Sequence, residues 1–393
     1  MSCELISRSP DLLKLQAEGY EIEVRGGHLL VHSVPYVNAE RKTAVGTLIT
    51  PLTLAGEVTT KPDNHVVYFC GAHPCNKDGT EISGIKHGSN TQHFGNDIEV
   101  YHSFSNKPPQ GYADYHQKMT RYVEIISAPA QSIDPSLTAQ TFRPVVSSKE
   151  ESVFRYRESA SARAGISGLV SKLAVSKVAI VGLGGTGSYI LDLIAKTPVQ
   201  EIHLFDGDRF FQHNAFRTPG AASLEELKSQ PYKVRYLLSI YEKMRYGLIG
   251  HECYITEENV DELAKFDFVF ICVDMPMVRK LISDTLQAHQ VPFIDVGMGI
   301  ELLNEEQVLY GSCRVTLSTP QKWNHVPQRI PFVDGGNDDL YPSNIQIADL
   351  NALNATLAVI KWKKHLGFYQ DLVREHDSVY AINAHQLTKD ERL

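Results

Sequence analysis

The chain has 393 residues, 42% of them hydrophobic and 21% charged, the balance of a globular protein with a buried core and a length that implies two domains or three at roughly 100–200 residues each. A net charge of −8 excludes the global basic field that nucleic acid selects. Six cysteines without a CxxC pair exclude the common structural-zinc pattern, and no apolar run reaches the ~18 residues of a membrane span. Scattered cysteines fit a reducing cytoplasm, and Met1–Pro10 lacks the apolar run of a signal peptide. The expectation is a soluble cytoplasmic protein with neither nucleic acid nor a membrane as partner.

Residues 1–130 read as a small α+β domain. Ser9-Pro10-Asp11 opens a short helical pattern through Leu12, Leu13 and Leu15. Strand-like runs follow at Glu21–Val24, Leu29–Val34, Gly46–Leu52 and His65–Phe69. The stretch Ser127–Arg163 is rich in Ser, Ala, Pro and charge and reads as a connector, with 131–163 assigned as linker. Residues 164–393 form the second expected domain. Val178–Val181, Ile202–Phe205, Phe268–Val273 and Phe293–Val296 are short apolar runs, separated by helical patterns such as Lys233–Met244 and Met277–His289. Apolar strands alternating with helices predict an α/β fold with a doubly wound, mostly parallel sheet covered on both faces. Late in the chain, Ile345, Ala348, Leu350, Leu353, Leu357 and Ile360 recur at helical spacing, with Ser343 as a cap and Gly367 as a stop after Lys363 and Lys364. That helix is read as core or as a dimer interface.

The first apolar run leads straight into Gly182-Leu183-Gly184-Gly185-Thr186-Gly187, and Ser188–Ala195 reads as a helix. This is GxGxxG in its strand–turn–helix context. The first glycine permits the tight turn, the second lets backbone approach a phosphate or ribose, and the third allows close helix–strand packing. The helix N-terminus offers unpaired N–H groups to an anion. The next strand ends in Leu204-Phe205-Asp206, where a carboxylate can accept from ribose hydroxyls. A nicotinamide oxidoreductase or sensor would look the same to this point.

The order Asp206-Gly207-Asp208, Asn214-Ala215-Phe216-Arg217, Lys233, Asp274 resembles the ubiquitin-activating enzymes and their bacterial relatives, the ThiF and MoeB type adenylyltransferases, over roughly Arg155 to Gly367. The pair Gly184-Gly185 also fits that family. The resemblance implies ATP-dependent adenylation of the C-terminal carboxylate of a ubiquitin-like protein ending in glycine, by a Rossmann-like homodimer using ATP and Mg²⁺. It implies that Asp206 holds the ribose, that Asn214, Arg217 and Lys233 contact the triphosphate, and that Asp274 binds the metal. An arginine ahead of the first strand, Arg157 or Arg163, would reach into the partner subunit's site. Phosphoryl-type transfer requires cations where charge develops, plus positioning, and this residue set supplies both. Blander roles stay open: a surface ion pair for Arg217, an exposed helix lysine for Lys233, a helix cap for Asp274, loop support for Asp208. His203 and His213 are read as structural or solvent-facing.

Family members that pass the acyl group to a cysteine carry one beyond the metal-binding aspartate. Here Cys313 is the only cysteine after Asp274, and it lies in the strand-like run Tyr310–Leu317, where a buried thiol is the expectation. No structural zinc is expected. In the N-terminal domain, Val66-Val67-Tyr68-Phe69 followed by His73-Pro74-Cys75 resembles the His-Pro-Asn segment of ubiquitin-conjugating enzymes, with Cys75 in place of the asparagine and Ser83 at the catalytic cysteine's position, ten residues past the histidine. Three readings stand open: an inactive binding module, an oxyester carrier through Ser83, or a chance likeness. Cys75, beside Lys77 and Asp78 in an expected polar loop, is a further nucleophile candidate, and Cys70 is expected to pack in the sheet. By analogy, fusion of the two modules suggests a bacterial ubiquitin-like conjugation pathway, with anti-phage defence as its setting. A pseudoenzyme scaffold for conjugation factors is the remaining alternative.

Overall fold

The computed structural model describes residues 2–95, 97–144, 147, 149–150, 152–156, 158–332 and 345–392. The chain divides into two compact units, Met1–Val146 with Arg157–Ser167, and Ser147–Tyr156 with Gly168–Leu393. Among the described residues no helix is long and apolar enough to cross a membrane.

The first unit is an antiparallel sheet of β1 (Ile22–Arg25), β2 (His28–Val37), β3 (Thr43–Pro51), β4 (Val66–Cys70), β5 (Lys86–Gly88) and β6 (His102–Ser105), in the order β1-β2-β3-β4-β6-β5. Alternation decides its faces: in β4, Val67 and Phe69 are fully buried while Tyr68 turns the other way. Helix α1 (Pro10–Ala17) buries Leu12 and Leu15 against this core. Helix α2 (Tyr115–Ile133) starts at Asp114, whose carboxylate accepts the Gln117 N–H at 2.7 Å. It sends Tyr115, Met119, Tyr122 and Ile126 into the same core at helical spacing. The expected connector from Ser127 therefore begins as helix. Ser127 and Ala130 are buried and carry the packed face just past Pro129, and the helix itself runs on to Ile133.

The second unit holds β7 (Lys177–Val181), β8 (Glu201–Phe205), β9 (Leu248–His251), β10 (Phe268–Ile271), β11 (Phe293–Leu303), β12 (Val308–Ser318), β13 (Glu375–Ala381) and β14 (Gln386–Arg392), in the order β9-β8-β7-β10-β11-β12-β13-β14. The first five strands are parallel, and the last three add antiparallel. Residues alternate between two cores. Val178, Ile180, Ile202, Leu204, Phe268 and Phe270 face α3 (Gly185–Ile194), α4 (Lys233–Tyr241) and α6 (Ala348–His365). Ala179, Val181, Phe205, Val269 and Ile271 face α5 (Pro276–Ala288). Burial on both faces explains why these strands read as unbroken apolar runs. The α/β class and mostly parallel sheet match the sequence expectation. α6 begins at Ala348, Gly367 follows it at φ +70°, and the expected cap Ser343 lies outside the described residues. The strand order reverses at β7, which sends one connection to β8 and has β10 on its other side. A crevice opens beyond the carboxyl ends of strands at such a switch point.

Candidate nucleotide site

The glycine loop is built by close approach. Gly182 turns at φ +91°, and a Cβ there would lie 2.7 Å from the Cys272 carbonyl oxygen. A Cβ on Gly187 would lie 1.9 Å from the Gly182 carbonyl, so only glycine lets α3 pass over the turn. A Cβ on Gly185 would strike the Asn351 amide of α6 at 2.1 Å, whereas Gly184 faces open space. Thr186 donates to Asn351 Oδ1 at 3.0 Å. Thus α6 backs the loop, and Gly184 is left free for a ligand.

The loop borders a cavity of about 980 Å³ whose lining includes Gly182, Gly184, Gly185, Asp206, Asp208, Arg217, Lys233 and Asp274. Most of the residues singled out from sequence therefore meet in one place. Gly187 and Asn214 do not line it. Asn214 is buried, its Oδ1 accepting the Phe211 N–H at 2.8 Å and its Nδ2 without a partner.

Two carboxylates organise the floor. Asp206, 8% exposed, accepts the Leu183 N–H at 2.7 Å and the Asp208 N–H at 2.8 Å, tying the strand end to the glycine loop. Lys233, buried at the start of α4, donates to Asp208 Oδ2 at 2.6 Å and stands 3.6 Å from Asp206 Oδ2. Burial pushes the Asp208 carboxyl up, but donation from Lys233 and Tyr254, with Arg217 nearby, outweighs it and holds the group below the usual carboxylate range. Burial lowers the Arg217 guanidinium from its ordinary value, against the opposing pull of Asp274 first and Asp208 next. Its Nε is buried without a hydrogen-bond partner. Asp274 is exposed on the loop between β10 and α5. Among the described residues no group of three His, Cys, Asp or Glu side chains gathers as a self-sufficient metal cage.

The far wall was not anticipated. Fully buried Asp295 is bracketed by Arg279, Nε to Oδ2 at 3.0 Å, and by Arg314. Thr316 accepts from Arg314 and donates to Asp377 Oδ1 at 2.6 Å. Asn354 of α6 donates to the Gly297 carbonyl at 3.1 Å, and its Oδ1, like Gln346 Oε1, is buried without a partner. Two asparagines, Asn351 and Asn354, lie on the buried face of α6, and that was the available signal.

Cys313 and Cys75 are placed unlike reactive thiols. Cys313 on β12 is fully buried and burial pushes it up to about 11. Cys75 corrects an expectation: it is 1% exposed, not in a polar loop, because it bridges Val37 and Glu81 and donates to the His73 carbonyl at 3.3 Å. Burial raises its pKa as well. Cys70 is half-buried on β4. Ser83 is exposed in the first unit. Arg157 lies outside the described residues, as does the side chain of Arg163.

Family models match twice: a domain of unknown function (DUF6791) over residues 10–159, and the ThiF family over 156–315. The "Adenylyltransferase and sulfurtransferase uba4" proteins of Emericella nidulans and Aspergillus niger are 32% and 31% identical over 129 residues, 32% of this chain. The match spans about a quarter, 26%, of each of those relatives. Among solved structures, E. coli MccB with ATP is 17% identical with a TM-score of 0.45, covering 57% of this chain and 65% of that one. PaaA gives 17% and 0.40, covering 57% and 75%. Residues 156–315, which contain the glycine loop, both floor carboxylates, Arg217, Lys233 and Asp274, are a ThiF-family domain.

Proposed function

We propose that the second unit transfers the adenylyl group of ATP to the C-terminal carboxylate of a ubiquitin-like protein ending in glycine. One observation carries the reading: Arg217 and Lys233 line the same cavity as the glycine loop. A dinucleotide site can also use cations, but a triphosphate that releases pyrophosphate needs them where charge grows. The adenylyltransferase activity in the name of the uba4 relatives supports it. In the reaction, a carboxylate oxygen bonds to the α-phosphorus, the bond from that phosphorus to the bridging oxygen of the β-phosphate breaks, and pyrophosphate leaves with the electron pair.

The chain's own part is positioning and charge. The N–H groups at the start of α3 and the open face of Gly184 receive phosphate oxygens. Asp206 retains lone pairs for the ribose hydroxyls beyond the two amides it accepts. Arg217 and Lys233 offset the charge that grows on the leaving pyrophosphate. A single exposed carboxylate beside phosphates suits Mg²⁺, which binds through one or two carboxylates plus substrate oxygens. Asp274 would hold it, and the ion would neutralise phosphate charge.

The first unit serves this reading as a binding module. Ser83 is exposed, and a serine hydroxyl is a weak nucleophile without an adjacent base, which favours a binding module over an oxyester carrier. A homodimer with Arg157 or Arg163 crossing between subunits, and a bacterial conjugation pathway serving anti-phage defence, complete the proposal.

ATP–pyrophosphate exchange with a glycine-tailed ubiquitin-like protein tests it. Lys233→Ala should lower exchange ~100-fold or more, the scale of losing one preorganised charge contact. Wild-type chain that binds a nicotinamide dinucleotide, with that binding indifferent to Lys233→Ala, would instead mark an oxidoreductase.

A further inference from the structure

Tyr254 follows β9 in a stretch that is neither helix nor strand, and it is 61% exposed. An exposed aromatic in such a stretch ordinarily samples several rotamers. This one is held at both ends. Its hydroxyl donates to Asp208 Oδ1 at 2.5 Å. Its ring lies against Gly207, where a Cβ would come within 2.7 Å of the ring. Tyr254 also lines the cavity, although no motif pointed to it.

The contact matters through what Asp208 does with its other oxygen. Oδ2 accepts from Lys233 at 2.6 Å, and Asp206 lies 3.6 Å from the same ammonium. An ammonium has three N–H donors. One is taken by Asp208, and Asp206 stands alongside at 3.6 Å, a charge contact beyond hydrogen-bond reach, so free N–H remains for the cavity that Lys233 lines. The Asp208 side chain is half exposed, so by itself it would turn between rotamers and carry the lysine with it. Gripped by the phenol, it cannot.

We infer that Tyr254 is a positioning residue for Lys233: by fixing Asp208, it fixes the direction in which the free ammonium N–H points into the cavity. The inference rests on the adenylation reading, in which that N–H meets a phosphate oxygen.

The protonation balance supports the geometry. The phenol is pushed up to about 12, by donation to Asp208 first and burial next, so it stays a donor at any working pH. Asp208 faces Lys233 of α4, Tyr254, Arg217 and, through its own N–H, Asp206. Removing the phenol O–H removes one of the interactions that hold the Asp208 carboxyl low. In Tyr254→Phe the carboxyl therefore titrates at higher pH, and once protonated it no longer orients the lysine.

Titration calorimetry of the full chain with ATP, inorganic tripolyphosphate and adenosine tests the inference. Tyr254→Phe should bind ATP and tripolyphosphate about tenfold more weakly, the scale of one hydrogen bond to a charged group, with adenosine unaffected. Gly207→Ala should reproduce the effect, since its Cβ displaces the ring while its backbone is outside the left-handed region. On a Lys233→Ala background, Tyr254→Phe should add nothing, because both act through one ammonium. An equal loss with adenosine would make the ring a base contact and overturn the inference. So would additive losses in the double variant, or wild-type affinity in Tyr254→Phe. A wild-type chain that binds neither ATP nor tripolyphosphate refutes the adenylation reading itself, a distinct outcome. Unchanged thermal unfolding of each variant excludes loss of fold as the cause.

Discussion

Lys118 is a cation in the wrong solvent. It stands on α2 with 1% of its surface exposed, and its ammonium donates to Thr50 Oγ1 at 2.8 Å and to the Asn64 carbonyl at 3.0 Å, both neutral acceptors. Burial lowers its pKa from 10.5 to about 8. At about 1.4 kcal/mol per pH unit, the charged form costs the folded first unit ~3.4 kcal/mol at pH 7. The sign follows from linkage. Below about pH 8 the amine is charged in both folded and unfolded chains, and the whole penalty applies. Between about 8 and 10.5 the folded chain has released the proton and the unfolded chain has not, so stability rises with pH. Lys118→Met keeps the shape and removes the charge, while leaving two acceptors without a donor at about 1–2 kcal/mol. The variant should therefore be more stable than wild type by about 1–2 kcal/mol at pH 7, with the difference passing through zero between about pH 9 and 10 and reversing to a deficit of about 1–2 kcal/mol once the wild-type amine is neutral in both states. Differential scanning calorimetry of both chains across that range isolates this one group, since every other titration cancels in the difference. A difference that stays flat with pH, or a methionine variant that is less stable at pH 7, refutes the reasoning.

Three further outcomes follow from the second unit and the exposed serine. Asp274→Asn should raise the Mg²⁺ concentration needed for half-maximal ATP–pyrophosphate exchange by about tenfold, the scale of removing one metal-bound carboxylate or its partner. An unchanged Mg²⁺ dependence would return Asp274 to the status of a surface side chain. Arg245 is fully buried, donates to the carbonyls of Thr197, Val199 and Tyr246, and so secures the chain just beyond α3. Arg245→Met takes the charged donor from three carbonyls, about 1.5–2 kcal/mol each, but also removes a buried charge held well below its ordinary pKa, so it should destabilise the second unit by about 1–2 kcal/mol in urea unfolding. Incubation with ATP, Mg²⁺ and the ubiquitin-like protein should leave no hydroxylamine-sensitive adduct on the chain. An adduct lost in Ser83→Ala and kept in Cys313→Ala would convert the first unit from a binding module to an acyl carrier.

The parallel strands were legible because burial on both faces writes them as uninterrupted apolar runs, and the glycine loop because Gly182 and Gly187 answer steric demands at a fixed spacing. Sequence also grouped Asp206, Asp208, Arg217, Lys233 and Asp274, residues that share one cavity. What escaped was set by distant partners. Cys75 looked exposed from its neighbours Lys77 and Asp78, yet pairing with Val37 buries it. Tyr254 bonds a carboxylate 46 positions away. β13 and β14 add to the sheet edge through antiparallel pairing that their own mixed composition does not announce. The continuation of α2 past Ser127 was masked by Pro129, a helix breaker by propensity that the packed face overrides.

The antiparallel edge of the second unit has a bearing on when the protein becomes competent. Everything that grips the phosphates in the proposed reaction emerges from the ribosome by Asp274, whereas Gln346, Asn354 and Val379 on the opposite wall are translated more than seventy positions later. The wall that would face bound phosphates therefore depends on residues past position 345, and so does the backing of the glycine loop by Asn351. Synthesis of the phosphate-side residues precedes closure of the chamber around them.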